Sequence, residues 1–92
     1  MRIDRYLYFI RLAKSRTLAQ AIVSEGRVRV DGRRVVKPSE EVRAGSVIAL
    51  PLRGEVRVIR ALSLPERRGP AAEARVHYEE IAANVSQQLG DD

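Results

Sequence analysis

Hydrophobic and polar positions change period along this chain, and each change predicts an element. Ile3, Leu7 and Ile10 recur at helical spacing, which predicts a first helix over about 5–13. Asp4 is read as its N-cap, and Ile3 with Tyr8 as a hydrophobic staple across the start. A second helix is expected over about 16–25. Ser15 is its N-cap, Leu18, Ala21 and Ile22 form its apolar stripe, and Gly26 supplies the left-handed stop. Two short helices joined by a tight turn make a helical hairpin.

From Arg27 the period becomes two. Arg27-Val28-Arg29-Val30 and Arg33-Arg34-Val35-Val36 flank Asp31-Gly32, a strong signal for a two-residue β-hairpin turn. That turn pairs Val30 with Arg33, Arg29 with Arg34, and Val28 with Val35. The valines share one face. Arg29 and Arg34 oppose each other on the other, an unfavourable like-charge pair that a bound phosphate would relieve. Lys37-Pro38-Ser39 ends the strand, and Glu40 to Gly45 is a loop or turn. Ser46 to Leu50 reads as a third strand and Val56 to Leu62 as a fourth, with Arg53-Gly54-Glu55 turning between them. Which face of the fourth strand is buried is left open by its pattern. Residues 63–69 read as a linker. Pro70 then opens a last helix, with Tyr78, Ile81, Ala82, Val85 and Leu89 as its stripe.

The expected fold class is therefore α+β: an N-terminal helical hairpin packed on a small, mainly antiparallel sheet, with a C-terminal helix. Residues 1–62 form the main unit. Residues 63–92 form a linker and helix on the same core. Ninety-two residues suffice for one core but not for two lobes around a deep cleft.

Charge changes the picture most. Lys and Arg number 17 against 12 Asp and Glu, for a net charge of +5. Residues 1–45 hold eleven basic and five acidic groups, a net of +6, and residues 46–92 six and seven, a net of −1. The positive field belongs to the first half and points to a polyanion. Fifteen of the basic residues are Arg, whose fork grips phosphate at two points and stacks on bases. Arg16 falls in the first turn of the second helix, where backbone N–H groups already favour an anion. Arg2, Arg5, Arg11, Lys14, Ser15, Arg16, Arg27, Arg29, Arg33, Arg34 and Lys37 are the candidate nucleic-acid-binding residues, suited to backbone and shape rather than base sequence.

Other chemistry finds less support. With no Cys, disulfides and thiolate metal sites are excluded. His77 with Glu73 and Glu80 is read as a solvated salt-bridging face rather than a metal site. No cofactor or metal is expected. Ser15 and His77 lack any pattern that would unite them in a triad, so no catalytic residue is assigned. Tyr6, Tyr8 and Phe9 are expected in the core, Tyr8 being the candidate for stacking on a base. Arg67-Arg68 either extend the basic surface or flank the linker. Met1 to Tyr6 lack the apolar core of a signal peptide and no apolar run is long enough to span a bilayer, so a cytoplasmic protein without membrane association is expected.

Several separated elements then agree in order and spacing with one family. Arg2-Ile3-Asp4-Arg5-Tyr6-Leu7, Lys14-Ser15-Arg16-Thr17-Leu18-Ala19, Ile22, Gly26, Val28, Val30, Asp31-Gly32 and Lys37-Pro38-Ser39 resemble an S-four RNA-binding domain carrying the alpha-L motif. That match spans about 1–50. Pro65-Glu66-Arg67-Arg68-Gly69-Pro70-Ala71 and Tyr78-Glu79-Glu80 extend it to nearly the whole chain, which is similar to the ribosome-associated heat shock protein 15 family. The family's turn is often Asn-Gly where this chain has Asp31-Gly32. Its better-known members also continue into a basic tail where this sequence reads Gln87 to Asp92.

The resemblance implies a non-enzymatic protein of the heat-shock stress response. It would bind structured ribosomal RNA on the free large ribosomal subunit, with tRNA as a further partner and weak DNA binding as a by-product, and rescue or recycle stalled subunits that still carry a nascent chain. A monomer is expected. Two alternatives stand beside it: a structured-RNA-binding accessory module of an RNA-modifying system, and a regulator whose arginines meet an acidic protein.

Overall fold

The computed structural model describes residues 1–81. Helices α1 (Ile3–Phe9) and α2 (Arg16–Ser24) lead into β1 (Val28–Val30) and β2 (Arg33–Val35). Strands β3 (Val47–Leu52) and β4 (Glu55–Ala61) follow, then α3 (Ala71–Ala74), a 3-10 turn at Arg75–His77, and β5 (Tyr78–Glu80). The strands form one antiparallel sheet in the order β2-β1-β3-β4-β5. The α+β class and the helical hairpin on an antiparallel sheet are as expected.

The β1–β2 register is the expected one: Val28 with Val35, Arg29 with Arg34, Val30 with Arg33. Asp31 at φ 53° and Gly32 at φ 81° are both left-handed, which makes a type I′ turn whose twist suits the two strands. Asp31 also serves the sheet. Its Oδ1 accepts from the Val47 amide at 2.9 Å, and its own amide donates to the Val47 carbonyl at 2.8 Å. The turn at Arg53-Gly54 repeats the geometry, with φ 53° and 84°. Pro51 sits in β3 but beyond Ile48 and Ala49, the residues that pair with β1.

The core lies between the helical hairpin and one face of the sheet. Ile3, Tyr6, Leu7 and Ile10 of α1 and the residue after it are buried. They meet Val28, Val30 and Val35 of the hairpin, Ile48 and Leu50 of β3, and Ile59 and Ala61 of β4. The buried face of β4 is thus the one bearing Ile59 and Ala61.

Four expectations are corrected. Asp4 is not an N-cap: α1 begins at Ile3, and Arg2 occupies the cap position without a side-chain cap bond. The reason lies in the chain after β2. The Pro38 and Glu40 carbonyls accept from the amides of Asp4 (3.2 Å) and Ile3 (2.8 Å), so the helix start is satisfied by a distant loop. Ile3 is accordingly a core residue, not the outer half of a staple.

The α2 stripe is turned by one position. Ala19, Ile22 and Val23 are buried, whereas Leu18 is 42% exposed and Ala21 lies outside. Small Ala19 lets the two helices approach, and branched Val23 takes the place in the core. The helix opened by Pro70 does begin at Ala71, but it lasts one turn, and Tyr78–Glu80 pairs with β4 instead. The Arg57 guanidinium binds the Glu80 carboxylate at 2.6 and 3.2 Å, and Tyr6 Oη donates to the His77 carbonyl at 3.0 Å. These contacts reward an edge strand over continued helix. Ala82, Val85 and Leu89 of the expected stripe lie outside the described residues.

His77 does not share a face with Glu73 and Glu80. Its Nδ1 is 2.8 Å from Ser63 Oγ, Glu73 pairs with Arg67, and Glu80 pairs with Arg57. Among the described residues no helix is long and apolar enough to cross a membrane.

Candidate nucleic-acid interface

The candidate surface is built from the start of α1, the start of α2 and the β1–β2 hairpin. Its centre is Asp4, a fully buried residue in a strongly basic segment. Asp4 Oδ1 accepts from Arg2 Nε at 3.1 Å and from the Arg5 amide at 2.7 Å. Oδ2 accepts from Arg2 Nη2 at 3.0 Å, Gln20 Nε2 at 3.1 Å and Arg16 Nη2 at 3.4 Å. Burial alone would push the Asp4 carboxyl up. The hydrogen bonds from Arg2, Gln20 and the Arg5 amide outweigh it and hold the group below its ordinary value.

The two arginine side chains remain 44% and 40% exposed. One buried carboxylate therefore holds Arg2 through two bonds and Arg16 through one, while the Arg16 Nε is buried without a partner among the described residues. Guanidinium forks so held suit phosphate oxygens, which accept two parallel N–H bonds.

Ser15 caps α2, its Oγ accepting from the Leu18 amide at 3.0 Å. The positive end of the α2 dipole thus stands beside Arg16. Lys14 and Arg5 are exposed next to this group.

The hairpin carries the rest. Arg29 and Arg34 oppose each other across the ladder, and Arg29 Nη1 reaches only the Gly32 carbonyl at 3.4 Å. Arg34 lies over Gly26: a Cβ at Gly26, where φ is +80°, would stand 2.6 Å from Arg34 Nη2. Gly26 thus serves as the left-handed helix stop, and any side chain there would also push the Arg34 guanidinium aside. Arg27 pairs with Glu25 at 3.2 Å and Arg33 with Glu40 at 2.8 Å. Because the Glu40 carbonyl also holds the start of α1, the Arg33 pair links the hairpin edge to the Asp4 group. Lys37 is exposed on the same connection.

Arg11 is placed elsewhere. It follows the end of α1 with φ 67°, and its Nε donates to the Gly69 carbonyl at 2.6 Å. Tyr6 is core, as expected. The Tyr8 ring is covered by Arg68, whose Cζ stands 4.5 Å from the ring centroid and whose Nε donates to the Tyr8 carbonyl at 3.0 Å. That cation–π contact engages one face of the ring and ties Arg68 to α1.

The reading from sequence missed Asp4 and Gln20 as members of the site. A signal was present: one acid flanked by Arg2 and Arg5 in a helix that otherwise carries only basic charge.

Comparison with known proteins agrees with this geometry. The S4 domain family matches residues 1–48. Heat shock protein 15 of Escherichia coli K12 is 33% identical over 88 residues, which are 96% of this chain and 65% of that protein. The chain thus spans about two thirds of the length of that relative. The small ribosomal subunit protein uS4 of Lacticaseibacillus casei is 44% identical over 54 residues, 59% of this chain and 27% of that one. The structure of Vibrio cholerae heat shock protein 15, described as trimeric, superposes with a TM-score of 0.85 at 31% identity, covering 99% of this chain and 91% of that one. The helical hairpin, the β-hairpin and the strands beyond them are all included in that match, and the chain belongs to the heat shock protein 15 family and carries an S4 domain.

Proposed function

We propose that this chain is a non-enzymatic RNA-binding protein. Its binding face comprises Arg2, Arg5, Lys14, Ser15, Arg16, Arg27, Arg29, Arg33, Arg34 and Lys37, with Asp4 as the group that positions Arg2 and Arg16. The observation that carries the reading is the buried Asp4 carboxylate holding two half-exposed guanidinium groups. Folding alone gains little from a buried carboxylate that an apolar residue could replace, whereas a phosphate ligand gains the fixed Arg2 guanidinium with that of Arg16 beside it. The like-charge pair Arg29–Arg34 points the same way.

The target we infer is structured ribosomal RNA on the free large ribosomal subunit, where the protein rescues or recycles subunits that still carry a nascent chain and its tRNA. Family membership supports this target. Contacts directed at phosphate also imply weak DNA binding, since only the 2′-hydroxyl separates the two backbones at such a site. We further propose that the protein is cytoplasmic and binds RNA as a monomer.

Sedimentation with separated large subunits, small subunits and intact ribosomes over a salt series tests the target. Selective co-sedimentation with large subunits, lost in Arg16→Glu, is expected. Equal weak binding to all three would reduce the function to general RNA binding, as would suit an accessory module of an RNA-modifying system. An absence of binding at low salt would leave the acidic-protein partner as the better reading. Sedimentation equilibrium of the free protein checks the monomer; a trimer at assay concentration would overturn that part.

A further inference from the structure

A second group of arginines lies at the other end of the sheet. The end of α1, the β3–β4 turn and the segment from α3 to β5 enclose a cleft of about 340 Å³. Arg11, Arg53, Arg57 and Arg75 line it, and Glu55 is the one carboxylate on its wall. Arg11 is held by the Gly69 carbonyl and Arg57 by Glu80. Arg53 and Arg75 make no ion pair among the described residues.

Arg53 is also an unusual choice for its backbone. It takes the first central position of a type I′ turn at φ 53°, where Asn, Asp or Gly is favoured and a longer side chain costs free energy. The turn at Asp31 meets the same demand with the favoured residue type. On the other flank of the Arg53 turn is a second cleft of about 600 Å³, bounded by the end of α2. Arg27, Arg29 and Arg53 line it together with the carboxylates Glu25 and Glu55, of which Glu25 is paired with Arg27. Arg53 therefore stands between the two clefts and belongs to both.

We propose that the β3–β4 turn carries a second phosphate-binding surface, continuous with the first. One RNA backbone would run from Arg29 past Arg53 into the cleft that holds Arg75. This inference rests on the RNA-binding reading above. From β1 to β5 the sheet steps across three strand spacings, about 15 Å, which a charged polymer can follow with successive phosphates. An isolated acidic side chain would fill one cleft and leave the other. Charge summed over residues 46–92 conceals the feature, because Glu73, Glu79 and Glu80 there are paired with Arg67, Arg60 and Arg57.

The test is fluorescence anisotropy with a labelled RNA hairpin between 50 and 200 mM salt. The double variant Arg53→Glu/Arg75→Glu is compared with wild type and with Arg60→Glu/Arg67→Glu, whose arginines lie outside both clefts. Loss of two phosphate contacts lowers the salt slope by about 2, so the fall in affinity over that range becomes about tenfold smaller. The control pair keeps the wild-type slope, and Arg53→Lys/Arg75→Lys restores it. Circular dichroism verifies that each variant is folded. An unchanged slope in the glutamate variant overturns the inference, and so does an equal loss in the control pair, which would report net charge alone. Wild-type protein that ignores the RNA hairpin at 50 mM salt would instead overturn the reading beneath it.

Discussion

Asp4→Asn separates two physical accounts of the basic face by the sign of its effect. The substitution keeps the shape of the side chain and removes its charge, so no cavity opens. In the native protein the carboxylate accepts from Arg2, Arg16, Gln20 and the Arg5 amide. An amide retains one acceptor and turns an NH2 group toward these donors. A hydrogen bond involving a charged group contributes about 1.5–3 kcal/mol. Arg2 and Arg16 are 44% and 40% exposed and regain water when released, so the expected loss of stability is about 2 kcal/mol, toward the low end of that range. For a domain of this size that lowers Tm by about 8–16 °C.

The same substitution adds one unit of positive charge. If the face acts only through its summed field, the variant binds RNA more tightly. If Asp4 acts by fixing two guanidinium groups, the variant must order them on binding, at about 0.5–1.5 kcal/mol for each side chain. Affinity then falls by about 5- to 150-fold. Anisotropy titration of a labelled RNA hairpin at 150 mM salt, well below the variant's Tm, reads the sign directly. Equal or tighter binding by folded Asp4→Asn would refute the positioning role.

A pH series adds an independent check. The Asp4 carboxyl is held below its ordinary value of 3.8, so its stabilisation is present above about pH 4 and is lost as pH falls through the lower folded value. The stability gap between wild type and variant should therefore close in acid.

Three other perturbations have clear expectations. Arg34→Ala removes the charge opposite Arg29; stability in chemical denaturation should be unchanged or rise by about 0.2–1 kcal/mol, while the salt slope of RNA binding drops by about 1. Gly26→Ala places a Cβ at φ +80° against Arg34; it should cost about 1–2 kcal/mol in thermal melts and weaken RNA binding through the displaced guanidinium. Tyr6→Phe deletes the bond to the His77 carbonyl, with an expected loss of about 1 kcal/mol and faster amide hydrogen exchange across the β4–β5 pairing than across β1–β2.

The parts legible from sequence were those governed by local chemistry. Asp31-Gly32 accounts for the hairpin register because two successive left-handed residues leave one way to close the turn. Ser15 and Gly26 bound α2 through the backbone groups at its ends. The misreadings share a different origin. Asp4 satisfies the usual statistics of an N-cap, but the carbonyls that cap α1 arrive from residues 38 and 40, and no local pattern announces them. The burial of Ala19 rather than Leu18 depends on the closeness of α1. Tyr78 has a helical stripe around it and still joins a strand, because the Arg57–Glu80 pair and the Tyr6–His77 bond act across the fold. For the site, residue type identified the arginines, while their grouping about Asp4 and along the β3–β4 turn is a property of the tertiary arrangement.

The cap on α1 has a consequence for the order in which this protein becomes competent. Arg2 and Arg16 are oriented only when Asp4 is seated, and Asp4 is seated only when the chain has returned from the β-hairpin to supply the Pro38 and Glu40 carbonyls. The binding face is thus completed by a contact between segments more than thirty residues apart, not by either helix alone. A chain emerging during synthesis would bind more weakly until the hairpin has docked. Conversely, RNA that selects the assembled face stabilises the whole domain: at one hundred times Kd the gain is about 2.7 kcal/mol, or roughly 11–22 °C in Tm for a domain of this size. Such a protein would resist heat best when its ligand is abundant.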